Sequence, residues 1–313
     1  MKNLLILVAG LFLLQTASAQ EEAIFRQYFL NPMLVNPATV GADREHHNLS
    51  MNLRTAFSSF PGSPKTYALS YNGSIGKQVG IGGMIFSENI ADITRFSGQI
   101  AYSMGIEINE DLKVRAGLSL EYQRMALSNS VMDTDLFDPG DMTTIDNING
   151  RKFFDTSLGL YGEYKDIYFG YAAPNLIRTV TDEIEGLEDN GGNFKYFILQ
   201  AGGRFAINDN KVKLEPSIIL RNVRNVDTHV DVSMMASFLN EQFITGALFR
   251  AGAGNSVGFL LGTKYNTLKF IYSYDILIDD FQRYNGGSHE ITVGFEFGRK
   301  EGSFDRSRKY RDK

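Results

Sequence analysis

The chain has 313 residues, a formal net charge of −5 and no cysteine. Without cysteine, neither a disulfide framework nor thiolate chemistry is available to it. The charge is modest and basic residues cluster only at the extreme C-terminus, which argues against nucleic acid as a partner. Beyond the first residues, no stretch of about 18 apolar residues is free of charge, so a helical membrane protein is excluded.

The N-terminus has the pattern of an export signal. Lys2 precedes an apolar run over residues 4–14, and residues 17–19 are Ala-Ser-Ala, a small-x-small sequence that signal peptidase accepts. The sequence therefore predicts a cleaved signal peptide over residues 1–19 and an exported mature chain.

Residues 20–45 contain two prolines, each preceded by an asparagine, in the pairs Asn31-Pro32 and Asn36-Pro37. Proline has no backbone N–H, so two of them forbid a regular strand or helix here. We predict that this segment folds into the periplasmic end of a barrel as a plug or brace. The alternative is a mobile periplasmic leader, because chain ends are often loose.

Residues 46–299 alternate apolar with polar or small side chains along most of their length. In the last segment the apolar face carries Ile291, Val293, Phe295 and Phe297. Such alternation in an exported chain predicts an all-β fold, a transmembrane antiparallel β-barrel of the Gram-negative outer membrane. The predicted strands number about fourteen, at 46–57, 64–75, 77–90, 93–108, 112–127, 153–164, 166–174, 194–207, 211–224, 226–239, 241–252, 255–265, 267–278 and 287–299.

The connections between these segments test the strand count. A barrel with its N-terminus in the periplasm places every second turn on the periplasmic side, where turns are short. The turns predicted for that side are short and carry turn residues, at 76–77, 109–111, 165–166, 208–210, 240–241 and 266–267. The long connections, 128–152, 175–193 and 279–286, all fall on the other side, so the topology is self-consistent.

Projecting the alternation inward places both signs of charge in the lumen in near-equal numbers. The positive residues are Arg54, Lys113, Arg115, Arg204, Lys213, Arg221 and Arg250, and the negative residues are Glu121, Glu163, Glu215, Asp227, Asp231, Asp275, Glu290 and Glu296. Balanced charges can pair across neighbouring strands, whereas a charge-selective pore usually carries a ring of one sign. We therefore expect a closed or narrow lumen and not a general porin.

Two acidic groups are candidate metal sites. Asp227, His229 and Asp231 share a strand face, but no fourth ligand is identifiable, and a hydrated rim with a charge pair to Arg221 or Arg250 is the alternative. The longest loop contains several aspartates, but it lacks the glycine and the terminal glutamate of an EF-hand. A solvated acidic loop accounts for these aspartates. We predict no metal and no cofactor.

Catalytic motifs are missing from the sequence. It has no Gly-x-Ser-x-Gly, no His-Glu-x-x-His and no phosphate-binding glycine loop. His289 stands beside Glu290, but no serine pairs with it in a recognisable motif, so we expect a rim histidine at the start of the last strand. The protein is predicted not to be an enzyme.

The basic tail, residues 300–313, follows the last predicted strand on the periplasmic side. It is either a docking element for an acidic periplasmic protein or a disordered, solubilising extension, since charge runs are usually solvated.

Eight short motifs, taken in order, resemble the PorP/SprF family of outer-membrane proteins associated with type IX secretion and gliding. They are Gln27–Pro32, Asn36–Ala38, Gly62–Thr66, Leu69–Tyr71, Phe137–Pro139, Glu215–Ser217, Tyr272–Asp275 and Ser288–Ile291. The resemblance covers essentially the whole mature chain. It implies a barrel, set in outer-membrane lipid, that catalyses no reaction. The implied partners are the periplasmic ring proteins of the secretion machine, or a large secreted adhesin with its C-terminal secretion domain.

The longest loop supplies candidates for partner contact, because binding residues usually sit on loops of a rigid scaffold. The candidates are Leu136, Phe137, Asp138, Pro139, Ile145 and Ile148. The alternative is that the apolar ones pack over the barrel mouth. An alternative function is transport of hydrophobic solutes by a fatty-acid-channel type of barrel. That function needs a continuous apolar track and a lateral opening, whereas the predicted inward face is charged.

Overall fold

The computed structural model describes residues 25–133, 138, 142–177, 179–180, 194–207, 212–224, 226–252, 254–278 and 285–298. The predicted signal peptide, residues 1–19, and the predicted basic tail, residues 300–313, lie outside the described residues and stay predictions.

The described residues are almost entirely β-strand. In chain order the strands are β1 (His46–Thr55), β2 (Lys65–Ile75), β3 (Val79–Ile90), β4 (Ile93–Glu107), β5 (Leu112–Leu127), β6 (Arg151–Tyr164), β7 (Ile167–Ala173), β8 (Thr179–Val180), β9 (Phe197–Gly203), β10 (Phe205–Ile207), β11 (Val212–Val223), β12 (Val226–Phe238), β13 (Phe243–Ala251), β14 (Ser256–Tyr265), β15 (Leu268–Leu277) and β16 (Ser288–Gly298). Each predicted strand has a counterpart among them whose bounds differ by only a few residues.

The sheet is antiparallel and closes on itself. β1 pairs with β16, so that His46 lies opposite Gly298 and Thr55 lies opposite His289. β9 and β10 are two segments of one barrel strand, interrupted at Arg204, and both pair with β11. The two-residue β8 pairs with β6 and stands outside the barrel order. The fold is therefore a closed 14-stranded barrel, as predicted.

The two ends of the barrel differ in their connections. Short turns join β2 to β3, β4 to β5, β6 to β7, β12 to β13 and β14 to β15, and the start of β1 and the end of β16 lie at this same end, named here the short-turn end. The opposite end, named the long-loop end, carries the connection from β5 to β6, which contains a 3₁₀ helix (Asn129–Asp133) and helix α1 (Met142–Asn149). The predicted separation of short from long connections is confirmed where the chain is described, whereas the predicted turn at 208–210 and most of the connections 175–193 and 279–286 lie outside the described residues.

Two 3₁₀ helices, Pro32–Leu34 and Pro37–Thr39, depart from the expectation that residues 20–45 contain no helix. Each begins with its proline. The missing proline N–H costs nothing at this position, because the first N–H groups of a helix have no partner within it. Proline thus starts these short helices and does not prevent them.

The outward face of the barrel is apolar around its circumference. Ile100, midway along β4, is 65% exposed. Aromatic clusters with histidine lie near both margins: His47 stacks between Tyr71 and Phe297 toward the short-turn end, and His289 packs against tyrosines toward the long-loop end. An apolar band between aromatic girdles is the surface that a transmembrane barrel presents to lipid. None of the helices in the described part of the chain has the length and apolar character to cross a membrane.

Candidate functional site

Residues 25–42, named here the N-terminal segment, lie inside the barrel. Phe25, Gln27, Ala38 and Val40 are buried although none belongs to a strand. Arg26 and Gln27 contact β12, β14, β15 and β16, and residues 36–41 contact β3 to β7 on the facing side. The interior site is therefore built from two surfaces, the inward faces of the strands and the segment between them.

The first inward surface is a set of paired charges, named here the wall cluster, that consists of Arg54, Arg221, Arg250, Asp231, Asp275 and Glu290. Arg250 makes a two-bond pair with Asp231, from Nε at 2.6 Å and from Nη2 at 2.8 Å. Arg54 Nη1 lies 3.3 Å from Asp275 Oδ2 and 3.1 Å from Glu290 Oε2. Buried charges are tolerated only when they are paired in this manner.

Arg26 and Gln27 dock on the wall cluster. Their backbone N–H groups donate to the two carboxylate oxygens of Glu290 at 2.9 and 3.0 Å. The Arg26 guanidinium bridges Asp231 at 3.0 Å and Asp275 at 3.2 Å. The Gln27 amide donates to Ser273 Oγ at 2.8 Å. The inward face thus recognises both the backbone and the side chains of this dipeptide.

Residues 36–41 pack on glycines of the facing strands. A Cβ added to Gly117 would lie 2.5 Å from Ala38 Cα, and one added to Gly80 would overlap the carbonyl oxygen of Val40. Glycine in a strand interior is typical of a place where another backbone approaches closely. The alternation pattern does not reveal this contact, because glycine suits either face.

Asn36 fixes the start of the second 3₁₀ helix and joins it to the wall. Its Oδ1 accepts from the backbone N–H of Ala38 at 2.9 Å, and its Nδ2 donates to the carbonyl oxygens of Leu160 at 2.9 Å and Tyr171 at 3.3 Å. Arg115, on β5, donates to the carbonyl oxygens of Ala38 at 3.3 Å and Val40 at 2.9 Å. These contacts hold the main chain of the segment against β5, β6 and β7.

A second charge network lies near the short-turn end. Glu241, in the turn after β12, lies 3.0 Å from Lys213, 3.2 Å from Lys264 and 3.4 Å from Lys269. Burial raises the pKa of its carboxyl group, but the three lysines outweigh burial and lower the pKa of Glu241 to about 2. Glu296 shares Lys264 and Lys269 with it. Positively and negatively charged side chains of neighbouring strands therefore form ion pairs here.

The charged residues that the alternation predicts to face inward differ in their burial. Arg115, Arg221, Asp231, Asp275 and Glu290 are buried, and Arg54, Glu215 and Glu296 are partly buried. Asp227 is exposed near the start of β12, and His229 Nδ1 lies 3.0 Å from its backbone oxygen. Asp231 pairs with Arg250, one of the two arginines named in the alternative to a metal site, but it is buried and does not lie at a hydrated rim. Among the residues that the structure describes, no group of three or more His, Asp or Glu side chains is arranged to hold a metal.

Sequence reasoning gave Arg26 no role and named Gln27 only as part of a family motif, because strand alternation cannot find residues that lie outside every strand. One signal was present, since Arg26 is the single basic residue between positions 20 and 43. The loop candidates are only partly placed. Leu136, Phe137 and Pro139 lie outside the described residues, Asp138 is exposed, and Ile145 and Ile148 are half-buried on α1.

A cavity of about 130 Å³ remains between the N-terminal segment and the strands. Its apolar side includes Phe25, Met33 and Leu34, and its polar side includes Gln99 and Gln123. The cavity is therefore amphipathic and is not a continuous apolar track.

Many solved structures resemble the fold, and two of them illustrate the likeness. One is the CymD monoaromatic hydrocarbon channel, with 13% identity and a TM-score of 0.52 over 87% of this chain and 92% of that chain. The other is the toluene transporter TbuX of Ralstonia pickettii, with 10% identity and a TM-score of 0.50 over 86% of this chain and 93% of that chain. Identities this low show a shared fold and nothing more. No curated protein matches the chain in sequence.

The family comparison identifies one protein family, whereas the structural likeness shows only a shared fold. The family model for the type IX secretion system membrane protein PorP/SprF matches residues 17–295. That range includes the N-terminal segment and nearly the whole barrel, and it agrees with the ordered motifs described above. The barrel fold and the family together point to the outer membrane. The chain belongs to the PorP/SprF family of type IX secretion system membrane proteins.

Proposed function

We propose that this barrel is a non-enzymatic outer-membrane component of type IX secretion that acts by binding. In this proposal it supports secretion and surface attachment of a partner adhesin, or it binds the periplasmic ring of the machine. The family match carries the proposal. The burial of residues 25–42 among the inward faces of the strands supports it, because a lumen that holds part of its own chain suits attachment better than bulk flow.

The N-terminal segment would then act as a plug. Buried contacts on both sides of the lumen support this role, from Arg26 to Asp231 on one side and from Asn36 to Leu160 on the other. The short-turn end would face the periplasm, where turns of such barrels are short, and the long-loop end would face outward. Helix α1 at that end would offer Ile145 and Ile148 to the secreted partner.

The proposal is tested by affinity purification from detergent-solubilised envelopes and by an assay of surface adhesins after gene disruption. The disrupted strain should lose display of at least one large secreted protein, and that protein or a ring component should co-purify with the barrel. Complementation with Ile145→Asp/Ile148→Asp should reduce adhesin capture, whereas the exposed neighbour change Asp146→Asn should not. Unchanged display in the disrupted strain would refute the proposal.

A second candidate function is passage of small hydrophobic solutes, favoured by the apolar side of the cavity at Phe25, Met33 and Leu34. Uptake of toluene in the disrupted strain discriminates the two. If adhesin display persists while toluene uptake falls, the transport function replaces the first proposal.

A further inference from the structure

The two halves of the N-terminal segment are held in different ways. Residues 25–31 contact the wall mainly through side chains, whereas residues 36–41 lie with their backbone on Gly80 and Gly117. The second half also continues directly into β1, so the chain itself tethers it. Toward β1, the first half continues through the 3₁₀ helix at Pro32–Leu34.

The charges of the wall opposite residues 25–31 balance without them, although Glu290, which is 0% exposed, would keep Arg54 and lose the N–H donors of Arg26 and Gln27. The wall cluster alone holds three arginines and three carboxylates, whose pairs include Arg250 with Asp231 and Arg54 with Glu290. Arg26 is a fourth cation added to a balanced set. Departure of Arg26 therefore leaves no excess buried charge, which is the costly outcome when a buried ion pair is broken.

The serines beneath Tyr28 are arranged in the same way. The Tyr28 hydroxyl lies 3.2 Å from Ser217 Oγ, and Ser217 Oγ and Ser233 Oγ are 2.6 Å apart and can bond to each other. Removal of Tyr28 therefore leaves this pair bonded.

The wall opposite residues 36–41 depends on the segment. Arg115 is buried, and its guanidinium donates to the carbonyl oxygens of Ala38 and Val40 and to the hydroxyl of Ser103. Two of these three acceptors belong to the segment. Departure of residues 36–41 would therefore take most of the acceptors from a buried guanidinium, which is strongly unfavourable.

We propose that the wall cluster, with Ser256 and Ser273, is a peptide-binding site for an arginine followed by glutamine, and that residues 25–31 fill it reversibly while residues 36–41 stay bound. The ligand class is a peptide whose two successive N–H groups meet one carboxylate and whose guanidinium bridges two others, as Arg26 and Gln27 do. This inference rests on the proposed role of the segment as a plug, and it adds that a separate peptide of the same chemistry can take its place.

Two matched serines test the difference between the halves. Ser273 lies under Gln27 and Ser103 lies under Val40; both face inward and both are 0% exposed. The natural chain has no cysteine, so the S273C and S103C variants each carry a single thiol. Alkylation by iodoacetamide is followed on the full-length protein in detergent.

The S273C variant should be alkylated about tenfold faster than the S103C variant, because local release of residues 25–31 exposes only the first thiol. Electrostatics alone would favour the opposite order of rates, since Arg115 beside Ser103 stabilises a reactive thiolate in the S103C variant. A third variant, S70C, replaces the acceptor of Asn31 and should follow S273C. Equal rates, or a faster reaction of S103C, would overturn the inference.

A synthetic peptide of residues 25–31 tests the ligand. Added in excess, it should slow alkylation of the S273C variant by refilling the site, while the same peptide with Arg26→Ala should not. Equal effects of the two peptides would overturn the assigned ligand chemistry. Because the readout is chemical, loss of the secretion phenotype and loss of the labelling difference are separate outcomes.

Discussion

Glu290 accepts a hydrogen bond from the backbone N–H of Arg26 at 2.9 Å, although 264 residues separate them in the chain. The same carboxylate accepts from Gln27 N–H and pairs with Arg54. The Glu290 side chain on β16 therefore bonds both to the N-terminal segment and to β1, the strand that pairs with β16 to close the barrel.

Glu290→Gln should destabilise the barrel by about 3–5 kcal/mol, because it removes one partner of a buried ion pair and turns an amide N–H₂ toward a backbone N–H. The measurement is the temperature at which the folded form disappears in gel-shift assays of unboiled and heated samples. Glu107→Gln is the matched control, since Glu107 pairs with Arg44 on the surface. Equal unfolding temperatures for the two variants would contradict the assigned role of Glu290.

Gly117→Ala should destabilise the packed N-terminal segment by about 1–3 kcal/mol through overpacking against Ala38. Gly98→Ala on the neighbouring strand is the control, because a Cβ there meets nothing within 4 Å. Limited proteolysis of the segment measures the effect. We expect faster cleavage near residue 38 in the Gly117 variant and wild-type behaviour in the Gly98 variant.

Glu241→Gln should change the response of stability to acid. The carboxyl pKa is lowered from 4.5 to about 2 in the folded chain, so its stabilising effect is complete above pH 4.5 and is lost as pH falls toward 2. The variant should be less stable than wild type at neutral pH, and the difference should shrink across this window. Urea unfolding at a series of pH values measures the stability of both proteins. If the difference in stability did not change with pH, the carboxylate of Glu241 would be excluded as its source.

Ile100→Arg should reduce stability in a bilayer by about 2–4 kcal/mol, because Ile100 is exposed midway along β4 where the barrel faces hydrocarbon. Glu110→Arg, in the exposed turn after β4, places the same side chain outside the strands and should have little effect. Folding yield into lipid vesicles distinguishes them. Equal yields would show that Ile100 does not face lipid.

The strands, their number and the two kinds of end were predictable from the sequence. Alternation with a period of two is a local property of each segment, and short turns carry their own residue signals, so neither depends on distant contacts. For the same reason the alternation could single out Asp231, Asp275 and Glu290 as inward-facing candidates, and all three are buried in the structure.

The partners of those residues were decided only by the tertiary structure. Closure of β1 onto β16 brings Arg54 beside Glu290, and the return of the N-terminal segment into the lumen brings Arg26 between Asp231 and Asp275. Such contacts join positions more than 200 residues apart, and no local pattern encodes which buried charge meets which. The sequence by itself determined the barrel and its faces, and the three-dimensional closure of the chain decided what occupies the interior.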